Sequence, residues 1–280
     1  MKKIFATIAA LVIAAGAAFA QSMAEATEIA QLANEAVAAE DYETALNGWK
    51  EALAKAEACG EEGAELVATA KGQIPAIINA AAKKLLKEKN YDGAVAKLQD
   101  AVAAAKEYGA EDIAEKAAAL IPQAFLSQGS DLIKAKDFGG AATAFKKVLD
   151  IEPTNGNASL YLGMALASSG DVAGATEAYK NAAANGQEKS ANKQLGNLCL
   201  KLASNALKAK DYKGAMEQAV ESTKYVPDNA NAFKIAGTAA AQLKNYKDAA
   251  SFFEEYLKVS PDAKDAEAIK ANIEAFKKLK

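Results

Sequence analysis

Apolar and polar positions follow helical spacing along the chain, and one recurring pattern organises them. Asp or Asn, then an aromatic residue or Val, two further residues and Ala occur six times. The copies are Asp41-Tyr42…Ala45, Asn90-Tyr91…Ala94, Asp137-Phe138…Ala141, Asp171-Val172…Ala175, Asp211-Tyr212…Ala215 and Asn245-Tyr246…Ala249. Seven residues after each Tyr, Phe or Val anchor sit Trp49, Leu98, Phe145, Tyr179, Ala219 and Phe253. Nine before it the side chain is always small: Ala33, Ala82, Gly129, Gly163, Ala203 and Gly237. The pattern predicts two amphipathic helices joined by a short turn at each Asp/Asn corner. The small residue lets the second helix approach, and the bulky one fills the space beside it. Pro153, Pro227 and Pro261 close three of the units, because Pro cannot continue a helix. A lone hairpin cannot bury its apolar face, so stacked neighbours must share a core.

The anchors are 49, 47, 34, 40 and 34 residues apart. The 34-residue spacing, with Gly163 and Gly237, Ala175 and Ala249, Tyr179 and Phe253, and Pro153 and Pro261, resembles the tetratricopeptide repeat. The resemblance covers roughly residues 22–261 and is strongest in the third to sixth units. Of the family's first-helix aromatics, Phe125 and Phe233 are present, whereas Ser159 and Cys199 depart from the pattern. It implies an all-α fold, an α-solenoid of about six hairpins whose concave groove binds peptides or proteins. The expected repeats are about 26–59, 62–109, 110–153, 156–187, 190–227 and 230–261. Residues 262–280 form a capping helix on Ala266, Ile269, Ile273 and Phe276. No linker divides the chain, so the expectation is one elongated domain over 21–280.

The first two spacings exceed 34 by 15 and 13 residues, which predicts extended helices in the first repeats. Gly60 and Gly109 read as left-handed residues ending one helix, with acids opening the next. Pro75 and Pro122 lie well inside those next helices, so a kink, or a break and restart, is expected at each. The 40-residue spacing predicts a longer connection near residues 185–190.

Composition narrows the chemistry. The 280 residues include 33 Lys, 36 Asp+Glu, no Arg and no His, and Ala fills 71 positions. Without His there is no imidazole base or ligand, and without Arg no bidentate clamp for phosphate or carboxylate. The slight acidity disfavours nucleic acid as a partner. Ser190-Ala191-Asn192-Lys193 fits Ser-x-x-Lys, but the partner motifs and the strands of that enzyme class are missing. Glu61-Glu62 and Glu254-Glu255 are helix neighbours about 100° apart and cannot share a reacting atom. Lys83, Lys84, Lys87 and Lys89 read as a solvated helix end. The expectation is a non-enzymatic chain with no catalytic, cofactor or metal residues. Cys59 and Cys199 are expected as small buried apolar residues without a disulfide.

The N-terminus reads as a secretory signal peptide, residues 1–20. Lys2 and Lys3 precede an apolar run from Ile4 to Ala15, and Ala18-Phe19-Ala20 supplies the cleavage site. Export to the periplasm or beyond is expected, with no stable membrane insertion afterwards. Removing two Lys leaves a mature net charge of -5.

In the family it resembles, first helices line the groove. The matching positions here are Asn157, Leu160 and Met164; Asn197, Leu200 and Ser204; and Asn231, Lys234 and Thr238. Three Asn at one structural position would form an amide ladder able to pair with a peptide backbone. The competing explanation is the preference of Asn for helix starts, although Asn155 and Asn229 stand two residues earlier as rival caps. The expected partner is therefore a protein or extended peptide. The alternative is a small or apolar ligand held between the extended helices of the first repeats.

Overall fold

The computed structural model describes residues 2–279, with side chains from residue 20 onward. The expected leader, 1–20, lies outside the residues with described side chains, apart from Ala20. Helices alternate with short turns: α1 (Lys2–Ala38), α2 (Tyr42–Ala58), α3 (Ala64–Lys87), α4 (Tyr91–Glu107), α5 (Glu111–Lys134), α6 (Phe138–Ile151) and α7 (Gly156–Ser169). They continue as α8 (Val172–Ala182), α9 (Glu188–Lys208), α10 (Tyr212–Tyr225), α11 (Ala230–Gln242), α12 (Tyr246–Val259) and α13 (Ala266–Lys277). No strand occurs among the described residues, so the fold is the expected all-α class. The chain forms two compact units, residues 1–128 and 129–280, whose boundary falls inside α5.

The six Asp/Asn corners have one cause. Each caps the second helix of its hairpin: Asp41, Asn90, Asp137, Asp171, Asp211 and Asn245 accept from the backbone N–H three residues on. The same residue's own N–H donates back to the first helix, to Ala36, Leu85, Leu132, Leu166, Ala206 or Ala240, at 2.9 Å in every case. That bond closes a Schellman turn, which requires a left-handed residue just before the corner. Gly170 fills that place once (φ 94°); Glu40, Lys89, Lys136, Lys210 and Lys244 fill it elsewhere, at φ 57–63°. One short side chain thus ends one helix and starts the next.

In the first unit the core gathers Ala33, Trp49, Ala82 and Leu98 with Ile74, Ile77 and Ile78 of α3. Helix α3 runs unbroken through the buried Pro75, and α5 runs unbroken through Pro122. The break that Pro allows therefore does not occur. An interior Pro costs about 3 kcal/mol, and three buried isoleucines at about 1.5–3 kcal/mol each outweigh that. Gly60 and Gly109 are left-handed, as expected. After Gly60, however, Glu61 and Glu62 lie in a single 3-10 turn, and α3 opens only at Ala64.

In the second unit the small-against-bulky pairing is literal. A Cβ on Gly129 would lie 2.6 Å from the Phe145 ring, one on Gly163 2.5 Å from Tyr179, and one on Gly237 2.8 Å from Phe253. Ser159, where the family pattern has an aromatic, is fully buried and accepts from Asn181 Nδ2 at 2.9 Å. A hydrogen bond there replaces ring packing. The longer connection expected near 185–190 is mostly helix instead. After the left-handed Gly186, α9 starts at once at Glu188 and runs 21 residues, against 14 for α7 and 13 for α11. Helix α13 closes the unit, with Ile269 and Ile273 packed on Phe253 and Tyr256.

Candidate functional site

Helices α7, α9 and α11 are the first helices of the last three hairpins. Two adjoining grooves run along them. One, of about 240 Å³, is lined by Met164, Ala167, Ser168, Tyr179, Gln194, Asn197, Leu198 and Lys201. The other, of about 440 Å³, is lined by Asn197, Leu200, Lys201, Ser204, Asn231, Lys234 and Ile235. Asn197 and Lys201, one turn apart on α9, belong to both.

Six of the nine residues picked from the sequence thus line these grooves: Met164, Asn197, Leu200, Ser204, Asn231 and Lys234. Asn157, Leu160 and Thr238 line neither. Leu160 packs with Met164 against the Tyr179–Leu195 cluster. The Thr238 hydroxyl donates to the Lys234 carbonyl at 2.8 Å. Asn157 is exposed in the first turn of α7. The helix caps belong to Asn155 and Asn229, which accept from Ala158 and Ala232. Asn197 lies nine residues inside α9, far from any helix start. Helix-start preference therefore has no purchase on Asn197, and the amides of Asn157 and Asn231 are surplus to the caps beside them.

Lys234 is less available than its place on the groove implies. Its Nζ lies 2.7 Å from Asp265 Oδ2 and 5.7 Å from the centre of the Tyr256 ring, and the Tyr256 hydroxyl donates to Asp265 Oδ1 at 2.7 Å. Asp265 precedes α13 yet makes no cap bond to it, turning instead toward α11 and α12. The hydrogen bond to Asp265 holds the Lys234 ammonium above its ordinary pKa, and bonds from Lys234 and then Tyr256 hold the Asp265 carboxyl below its own. This clasp fastens the capping helix. Lys201, by contrast, is exposed and has no ion pair among the described residues. Neither it nor Gln194 was picked out from the sequence, because only three positions per helix were counted. Lys201 is four residues beyond Asn197, and a wider reading of the same face would have found it.

Tetratricopeptide repeat family models match residues 132–199 and 200–266, a stretch that contains every one of the nine positions. Residues 132–266 carry tetratricopeptide repeats. Among solved structures, the chain is similar to MamA at 18% identity, covering 69% of this chain and 94% of that one, with a TM-score of 0.38. It is also similar to YrrB, described as a TPR protein with an unusual peptide-binding site, at 19% identity over 70% of this chain and 91% of that one (TM-score 0.38). MamA 41-end from Desulfovibrio magneticus RS-1 shares 15% identity over 56% and 94% of the two chains (TM-score 0.37). No curated protein is similar in sequence. The first two hairpins, with their 24-residue and 37-residue first helices, fall outside the matched repeats.

Burial, ahead of the nearby Glu221, pushes the Cys199 thiol up, which suppresses the thiolate, and burial pushes Tyr179 up to about 12. Cys59 and Cys199 are both buried and form no disulfide. Among the described residues no three potential ligands cluster as a metal site would require, and no helix is long and apolar enough to cross a membrane. In the first unit, a pocket of about 680 Å³ lies between the α1–α2 turn and α3, with Ile77, Ile78 and Leu46 at its base and Glu40, Asp41, Glu43, Lys84, Glu88 and Lys97 around it. Lys84 of the basic patch is fastened there to Glu40 and lies over Tyr42.

Proposed function

We propose that the chain is a non-enzymatic interaction scaffold whose α7–α9–α11 face takes an extended segment of a protein or peptide. The observation that carries this reading is the set Asn197, Lys201 and Asn231, exposed and without a side-chain hydrogen bond or ion pair among the described residues, along grooves whose apolar floor is Met164, Leu198, Leu200 and Ile235. Asn197 and Asn231 offer donor and acceptor to a main chain, and the apolar floor receives side chains. The repeat assignment supports the same reading. The charged rim of the first-unit pocket runs against an apolar small ligand there.

The test is selection of binders from a displayed library of random extended peptides, followed by titration against variants. Each neutral hydrogen bond is worth about 0.5–1.5 kcal/mol, so a single Asn→Ala change should weaken binding a few-fold. Asn197→Ala and Asn231→Ala together should cost about one to two orders of magnitude if they act independently, and Asn157→Ala, outside both grooves, should cost little. Unchanged affinity in a folded Asn197→Ala, Asn231→Ala variant would refute the amide ladder.

The scaffold works outside the cytoplasm in this reading, on the strength of the tripartite segment in residues 1–20. Intact mass of the exported protein should correspond to residues 21–280, beginning at Gln21. A full-length, membrane-retained chain would contradict it.

A further inference from the structure

Charge is sorted between the two helices of the last three hairpins. Helices α7, α9 and α11 carry five lysines (Lys189, Lys193, Lys201, Lys208 and Lys234) against one acid, Glu188. Their hairpin partners α8, α10 and α12 carry five lysines against six acids. This happens in a chain with more acids than lysines overall. The two grooves repeat the bias at close range, for no carboxylate lines either one. Three grooves elsewhere contain them: Glu217, Glu221 and Asp248 between α10 and α12, Glu254 between α12 and α13, and Glu40 and its neighbours by α3.

Within the grooves the two lysines are not equivalent. Lys234 is neutralised by Asp265 at 2.7 Å. Lys201 stands free between both grooves, with the Asn197 amide one turn before it and the Ser204 hydroxyl about one turn after it on the same helix face. A single ammonium flanked by neutral donors, in grooves that no carboxylate lines, suits one carboxylate at a time. A dense polyanion would call for clustered cations.

Resting on the scaffold reading above, we propose that the occupant is an acidic extended segment of a partner protein, one of whose Asp or Glu side chains is received by Lys201. Lys201 is then the residue that sets partner charge, and Lys234 serves the cap. The carboxylate meets Lys201 Nζ directly, with Asn197 and Ser204 donating beside it, while the segment's main chain runs along the amides.

Fluorescence anisotropy with three labelled, end-blocked peptides tests this on the chain lacking its leader: an Ala-Glu repeat, the same repeat with Gln for Glu, and the same with Lys. A charge-assisted hydrogen bond predicts that the Glu peptide binds about tenfold more tightly than the Gln peptide, and that the Lys peptide binds weakest. Raising the salt should narrow the gap, because the site is exposed. In Lys201→Gln the Glu and Gln peptides should bind alike, whereas Lys234→Gln should keep most of the preference. Circular dichroism and the Gln-peptide affinity report whether each variant is folded. If the Glu and Gln peptides bind equally to the unaltered chain, this proposal fails and the scaffold reading stands. If no peptide binds, both fail. A preference that survives Lys201→Gln overturns the assignment of Lys201. A single-stranded oligothymidylate that binds more tightly than the Glu peptide, with the same dependence on Lys201, overturns the peptide as occupant.

Discussion

The two units solve the same packing problem with different side chains. In the first, the small residue of each hairpin is Ala (Ala33, Ala82) and its partners are Trp49 and Leu98. In the second, Gly129, Gly163 and Gly237 let Phe145, Tyr179 and Phe253 come so close that no Cβ fits between. First-helix length does not divide the same way: α3 and α9 are long, at 24 and 21 residues, and α7 and α11 short, at 14 and 13. Both units nevertheless use the same Asp/Asn corner. Corner chemistry therefore makes a hairpin in both units, and in three hairpins of the second a Gly–ring contact tightens it, whereas the α9–α10 hairpin pairs Ala203 with Ala219. The grooves with Asn197, Asn231 and Lys201 lie along first helices of the second unit.

The sharpest way to break this comparison is to remove the bulky member of each pair. Phe145→Ala should cost about 3–5 kcal/mol and Leu98→Ala about 2–5 kcal/mol in chemical denaturation. In a repeat array the loss should remain near its own hairpin, so hydrogen exchange should rise around α6 in one variant and around α4 in the other. An even rise along the chain would contradict hairpin-by-hairpin stability. Next in size is Gly163→Ala, which drives a methyl into Tyr179 and should cost about 1–3 kcal/mol. Adding Tyr179→Leu recreates the Ala82–Leu98 pairing of the first unit. The double variant should then be more stable than the sum of the single losses, measured as a double-mutant cycle.

The corners should behave alike in both units. Asn90→Ala and Asp211→Ala should each cost about 0.5–2 kcal/mol. Lys210→Gly should gain a few tenths to about 1 kcal/mol, because a left-handed Lys is strained and Gly is not. The smallest effect concerns the Lys234–Asp265–Tyr256 clasp of the second unit. Asp265 is held below its ordinary pKa, so its contribution is intact above the usual carboxylate value of about 3.9 and is lost as pH falls below it. Lys234 and Tyr256 are held above theirs, each mainly by the hydrogen bond to Asp265, so their contributions are complete below about pH 10 and fade above it. Exchange in α13 should quicken at both extremes, and Asp265→Asn should remove both dependences.

Caps and side-chain volume are local properties, and the sequence displayed both: all six corners and the Gly–ring pairs were legible in it. The left-handed lysines were not, since Lys89, Lys136, Lys210 and Lys244 carry no signal for a conformation that Gly normally supplies. Asn185-Gly186 read as a loop, and its turn signal hid the fact that Glu188 restarts a helix at once. The Lys234–Asp265–Tyr256 clasp joins three helices through long-range proximity, which no spacing rule reports. Without it Lys234 looked like the cation of the groove, and Lys201 went unnoticed one position outside the counted set.

Site-specific photo-crosslinking tests the central claim most directly. Benzoylphenylalanine is placed at Ser168 in the α7–α9 groove, at Asn47 in the first-unit pocket, or at Phe252 on the α10–α12 side, and the labelled Glu-repeat peptide is added. The account predicts a crosslinked peptide from Ser168, competed away by excess unlabelled peptide, and none from the other two positions. Crosslinks from Asn47 or Phe252 with Ser168 silent would place the binding face elsewhere and contradict it.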